Sequence, residues 1–196
     1  MLKLYHCPQT RSSRIVWLLE EIGEPYTLER IDIRAEGGVP ESYRAIHPLK
    51  KVPALDHDGE IVTESAAICL YLSDAFPAAK LGPKVGQRGR GAYLSWLAYY
   101  AGVIEPGLMS KAVGAQGFNP VSVGWGDPAL MEQRLAETLE KNAYILGDAF
   151  STVDVLIGST FQIAARLLPK SDAIEAYKQR LEARPAFQRS LEKAAA

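Results

Sequence analysis

Cys7-Pro8-Gln9-Thr10 sets a thiol and a hydroxyl three positions apart. They stand where a short apolar strand, Leu2 to Tyr5, gives way to a helix with Ile15, Leu18, Leu19 and Ile22 at helical spacing. The start of a helix carries partial positive charge and favours an anion there. Two chemistries fit: Cys7 as a nucleophile in its own right, or a hydroxyl that steadies the thiolate of a bound molecule.

A second cluster, Lys51-Val52-Pro53 followed by Glu64-Ser65, has the makings of a binding slot. Proline is tolerated at the first residue of a strand, and a cis Val52–Pro53 bond would turn the N–H and C=O of Val52 towards an extended peptide. Asp58-Gly59, a strong hairpin signal, then delivers Glu64-Ser65 to a helix start, where N–H groups and a hydroxyl suit a carboxylate. Glu64 offers an anion for an ammonium, and Lys51 a cation for a second carboxylate. Such a slot suits a short peptide with an amine, two carboxylates and a central thiol.

The elements that must position these residues fall into two halves. Residues 1–80 read β-α-β (the second strand Tyr26 to Ile31), then β-β-α, a small mixed sheet with helices on its faces. After Gly82-Pro83 the strand signals stop, and 84–196 reads as helices over 84–109, 129–146, 152–168, 172–183 and 185–195. The Gly-rich stretch 114–128 reads as a long loop. Ser151 or Thr152 is expected to cap the helix that Asp154 answers, and Cys69 to lie in the core. Tyr93, Trp96 and Tyr100 share one face, which suits core or dimer packing. Tyr99 and Met109 lie elsewhere and suit an apolar second substrate, with Phe118 and Trp125 as its cover.

The ordered Lys51-Val52-Pro53, Glu64-Ser65 and Ser151-Thr152-Val153-Asp154 resemble the glutathione transferases over essentially the whole chain. IHPLKKVPAL, with WLLEE upstream, looks most like the bacterial and fungal members related to the yeast enzymes. The resemblance implies an α/β thioredoxin-like N-terminal domain over 1–80 that binds glutathione. An all-α C-terminal domain over 84–196 would contribute the second-substrate site, and the protein would usually be a homodimer. Val52 would pair with the cysteinyl backbone of glutathione, Glu64 and Ser65 would take its γ-glutamyl end, and Lys51 would sit near its glycine carboxylate. Thr10 falls where theta-like members carry a catalytic serine, and Cys7-Pro8 where omega-like members carry a catalytic Cys-Pro; Thr10 leads. Tyr5 reads as structural, and Ser12, Ser13 and Arg11 as cap and ligand neighbours. The place of Lys50 is often glycine in that family, so a slightly different local backbone is expected.

Three functions follow: conjugation of glutathione to an electrophile, thiol transfer through Cys7, or binding without catalysis on the same fold. Glutathione is the expected co-substrate, with no metal, since no zinc-like spacing occurs. A net charge of −1 gives no general attraction for nucleic acid or an anionic membrane. No apolar run is long enough to span a bilayer, the N-terminus lacks a signal-peptide segment, and two cysteines make no disulfide framework. A cytoplasmic setting is expected.

Overall fold

Apolar alternation makes strand β1 (Leu2–His6), buried along most of its length, and Gly23 at φ +80° ends helix α1 (Ser13–Ile22) by donating to the Leu19 carbonyl. Strand β2 (Tyr26–Arg30) pairs in parallel with β1, the arrangement a one-helix crossover dictates. Strands β3 (Ala54–His57) and β4 (Glu60–Thr63) form the expected hairpin; Asp58 and Gly59 take φ +54° and +90° at its turn. The sheet order is β2-β1-β3-β4, with β3 antiparallel to both neighbours, and helix α2 (Ser65–Ala75) follows β4. The Val52–Pro53 peptide is cis. This mixed sheet with its helices is the thioredoxin-like arrangement read from the sequence.

The computed structural model describes residues 1–168 and 170–195, and it divides into two compact units. One is Met1–Ala79 together with the segment from Ala183 onward; the other is Lys80–Glu182. The last helix, α8 (Pro185–Ala195), therefore departs from the expected helical stretch 84–196 by packing on α1 of the first unit. Phe187 meets the Trp17 ring edge-on at 4.9 Å, and Arg184 grips Glu21 through both guanidinium arms at 2.6 and 2.7 Å. Arg189, Lys193 and the Tyr26 hydroxyl converge on Glu20. Burial alone would raise the Glu20 carboxyl, but hydrogen bonds from Lys193, Arg189 and Tyr26 overcome it and bring the group down to about 2. Burial pushes the Cys69 thiol up to about 12, which fits an inert core residue.

The second unit is helical: α3 (Arg90–Tyr99), α4 (Glu105–Ala112), α5 (Pro128–Lys141), α6 (Thr152–Ala164) and α7 (Asp172–Glu182). The helix expected over 84–109 starts later and is widened by a π turn, Tyr100–Ile104. Pro106 supplies the reason. It has no N–H to donate, and in an unbroken α-helix its ring would press on the Gly102 carbonyl. Tyr93, Trp96 and Tyr100 are buried within the chain, so their shared face is core and gives no support to an interface. Asp154 is fully buried and accepts from Ile145 N (2.9 Å), Ser151 N (2.8 Å), Ser151 Oγ (2.9 Å) and the Tyr177 hydroxyl (2.9 Å). Asp154 does answer Ser151, while the Thr152 hydroxyl instead meets the Tyr93 hydroxyl at 2.8 Å.

Candidate functional site

Strand register brings the two sequence clusters to one end of the sheet. Tyr5 pairs with Ala54, and Ala54 with Thr63. Cys7 thus leaves the end of β1 beside Val52-Pro53 entering β3, and Glu64-Ser65 leaves the end of β4 one strand further on. Neighbouring strands lie about 4.8 Å apart, so the three segments span about 10 Å, the reach of an extended tripeptide.

Each segment presents main-chain groups. Among the described residues no backbone hydrogen bond reaches the N–H or C=O of Val52. Glu64 sits at the start of α2 with φ +69° and ψ 122°, and its side chain makes no cap bond to the helix's first turn. A glutamate held at positive φ costs on the order of 1–3 kcal/mol, a strain that collects at functional positions. Ser65 opens the helix beside it, half-buried. Lys51 is exposed, and its carbonyl accepts from the Tyr43 hydroxyl at 3.1 Å. Lys50, where glycine is often found in the resembled family, adopts φ +53°, the region where glycine is comfortable. Its Nζ is held by the Val39 carbonyl at 2.9 Å and by Glu41 at 3.1 Å.

The turn from β1 to α1 is tied from within. Ser12, fully buried, places Oγ 2.7 Å from His6 Nδ1, 3.1 Å from the Cys7 carbonyl and 2.8 Å from Thr10 Oγ1, and it accepts from Cys7 N at 3.1 Å. Ser12 is expected among the cap and ligand neighbours. Its side chain makes no cap bond and turns back to the strand. Thr10 Oγ1 donates to the Cys7 carbonyl at 2.7 Å and accepts from Ser12 N at 3.2 Å, so in this arrangement its proton is engaged. Cys7 is 3% exposed. Arg34, from the loop after β2, spans the turn: Nη1 reaches Cys7 Sγ (3.4 Å) and the Pro8 carbonyl (3.2 Å), and Nη2 the Gln9 carbonyl (3.2 Å). Nothing local in the sequence linked Arg34 to Cys7. The parallel pairing of His6 with Arg30 carries that loop to the same sheet end.

The residues named for a second substrate all lie in the helical unit, in different surroundings. Tyr99 meets Trp96 edge-on at 5.4 Å and lies under the Arg134 guanidinium at 3.9 Å. Met109 is 45% exposed on α4. Phe118 leans on Trp125 at 5.9 Å in the loop before α5, and the loop closes on α4 where Trp125 Cβ lies 3.8 Å from where a Cβ on Gly107 would stand.

Comparison with known proteins agrees with this layout. Residues 6–75 match the glutathione S-transferase N-terminal domain. The chain is 29% identical to glutathione S-transferase GstA of Escherichia coli O157:H7, over 97% of both chains. It is 28% identical to glutathione S-transferase hmp2 of Hypomyces subiculosus, over 90% of this chain and 84% of that one. A glutathione transferase of Methylococcus capsulatus superposes with a TM-score of 0.80 at 26% identity, covering 100% of this chain and 99% of that one. A sphingomonad glutathione S-transferase solved with glutathione superposes with a TM-score of 0.79 at 25% identity, over 98% of both chains. Whole-length likeness in sequence and fold, joined to a tripeptide-sized row of polar main chain at the sheet end, indicates a glutathione transferase.

Proposed function

We propose that this glutathione transferase holds glutathione across the ends of β1, β3 and β4 and conjugates it to an electrophilic, largely apolar second substrate. The observation that carries the reading is the convergence of Thr10, Val52 and Glu64-Ser65 on one sheet end, set by the Tyr5–Ala54–Thr63 register. Val52 pairs with the cysteinyl backbone, which centres the thiol beside the β1–α1 turn. The start of α2, with Ser65 and Glu64, takes the γ-glutamyl end, and Lys51 the glycine carboxylate. An ordinary cysteine thiol ionises near 8.5, so thiolate is scarce at neutral pH. The Thr10 hydroxyl, turned from the Cys7 carbonyl to the sulfur, gives one charge-assisted bond worth roughly 1.5–3 kcal/mol, or one to two pK units. The thiolate then attacks the electrophilic carbon, and the leaving group departs with the bonding pair. Tyr99, Met109 and Phe118 serve the second substrate. The protein works as a cytoplasmic homodimer in detoxification.

The Cys7 sulfur is buried, which favours Thr10. One observation supports Cys7 all the same: the guanidinium of Arg34 at 3.4 Å from Sγ is a partner fit for a thiolate. On that second reading Cys7 attacks a glutathione mixed disulfide, takes up the glutathionyl group and releases the other thiol. Retention on immobilised glutathione, followed by assays with electrophiles and with mixed disulfides, separates the readings. Conjugation that survives Cys7→Ser and fails in Thr10→Val supports the first. The reverse pattern, with disulfide reduction lost in Cys7→Ser, supports the second, and retention with neither activity supports a binding protein.

A further inference from the structure

The hydrogen bonds of the β1–α1 turn have a fixed direction, and His6 sets it. Its Nε2 lies 2.9 Å from the Ala194 carbonyl at the end of α8. A carbonyl only accepts, so Nε2 carries a proton and Nδ1 of the neutral ring is an acceptor. Ser12 Oγ, 2.7 Å away, must then give its only proton to Nδ1. The Cys7 carbonyl is left to Thr10, whose proton it takes at 2.7 Å.

A second arrangement satisfies every one of these groups. If Nδ1 carries a proton, it donates to Ser12 Oγ, Ser12 turns its own proton to the Cys7 carbonyl 3.1 Å away, and Thr10 is free to donate elsewhere. We propose that His6 is the proton acceptor for the glutathione thiol, acting through Ser12 and Thr10. It is a positioning residue that frees the Thr10 hydroxyl as the thiolate forms. The inference rests on the reading of Thr10 as the group facing the thiol.

Protons balance. Before activation four are held, on the thiol, Thr10, Ser12 and Nε2. Afterwards four are held, on Thr10, Ser12, Nδ1 and Nε2. The thiol proton passes to Thr10 Oγ1, that of Thr10 to Ser12 Oγ across 2.8 Å, and that of Ser12 to Nδ1. The sulfur keeps its electron pair and no oxidant enters.

The surroundings keep the resting ring neutral. Burial lowers the His6 imidazole below its ordinary range, the Ala194 carbonyl opposes this, and the Arg30 cation paired opposite on β2 lowers it further. On α1 and α8, Arg189 and Lys193 both pair with the single carboxylate of Glu20, which leaves one net positive charge. Arg14 on α1 and Arg34 at the Cys7 turn add positive charge. Imidazolium there needs a compensating anion, which the thiolate supplies; protonation of His6 is thus tied to an occupied, ionised site.

Calorimetry of glutathione binding in two buffers of different ionisation enthalpy counts the protons released, and thiolate absorbance counts the thiolate formed. The expected result is far fewer protons released than thiolates formed, rising to about one per thiolate in His6→Gln, whose amide can still donate to Ala194 but has no basic nitrogen to take up a proton. A second measurement needs no variant. His6 is one of three histidines, and its ring nitrogens should show imidazolium on binding glutathione and neutral imidazole on binding S-methylglutathione. One proton released per thiolate in the unaltered protein, with His6 neutral throughout, would overturn the relay and leave Thr10 in place. Thiolate formation unchanged in Thr10→Val would instead overturn the Thr10 reading on which the relay rests.

Discussion

Asp154→Ala should be among the most damaging single changes in the helical unit. The carboxylate is fully buried and receives four hydrogen bonds, two of them from the main-chain N–H groups of Ile145 and Ser151. Those N–H groups cannot leave the interior, and each loses its partner when the side chain goes, at about 1–3 kcal/mol apiece. The hydroxyls of Ser151 and Tyr177 can rotate but also lose their acceptor. One term opposes the loss. Burial raises the Asp154 carboxyl above its ordinary value, so removing it relieves some desolvation. A net loss of about 3–5 kcal/mol remains, typical of breaking a buried charged network. For a chain of this length 1 kcal/mol moves Tm by about 2–4 °C, so a fall on the order of 10 °C is expected. Thermal unfolding followed by circular dichroism measures it, with exposed Asp148→Ala as the control. An Asp154→Ala protein melting within about 2 °C of the control would show that the network contributes little and that this accounting is wrong.

Three further outcomes follow from the first unit. Ser65→Ala removes a hydrogen bond to a charged carboxylate and should weaken glutathione binding roughly ten- to hundred-fold by calorimetric titration; unchanged affinity would remove Ser65 from the site. At Lys50, φ +53° makes glycine the easier replacement, so Lys50→Gly should unfold in urea at least about 0.5–1 kcal/mol later than Lys50→Ala, although both lose the Nζ contacts. The Glu20 carboxyl falls from 4.5 to about 2 on folding, so its contribution is present above pH 4.5 and is lost as pH drops towards 2. Its cationic partners are half exposed, so about 1–2 kcal/mol is expected, and Glu20→Gln should flatten the acid limb of the stability profile.

Much of the sheet end could be read in the sequence because its signals are local. Asp58-Gly59 needs positive φ at the turn, and Pro53 fits only at the start of β3. Both hold a register that brings distant residues together. Less could be read where the partner is remote. Arg184, just before α8, and Arg189 and Lys193 on it look like ordinary surface charges, and only the fold pairs them with Glu20 and Glu21. The π turn ahead of Pro106 was concealed by a periodic apolar pattern that runs on across it. In the opening turn the residue types were visible but not their hydrogen bonds. Whether the Ser12 hydroxyl turns forward to cap α1 or back to His6 depends on a histidine six residues earlier, itself fixed by the last helix of the chain.

The proposed role of Thr10 is to ionise, through its hydroxyl, glutathione held at this sheet end. Its most direct test is the pH titration of thiolate absorbance for glutathione bound to the unaltered protein and to Thr10→Val, which keeps the side-chain shape and removes the hydroxyl. The bound thiol should ionise one to two pK units higher in Thr10→Val, with conjugation at neutral pH falling roughly ten- to hundred-fold. A bound thiol that ionises at the same pH in both proteins would contradict it.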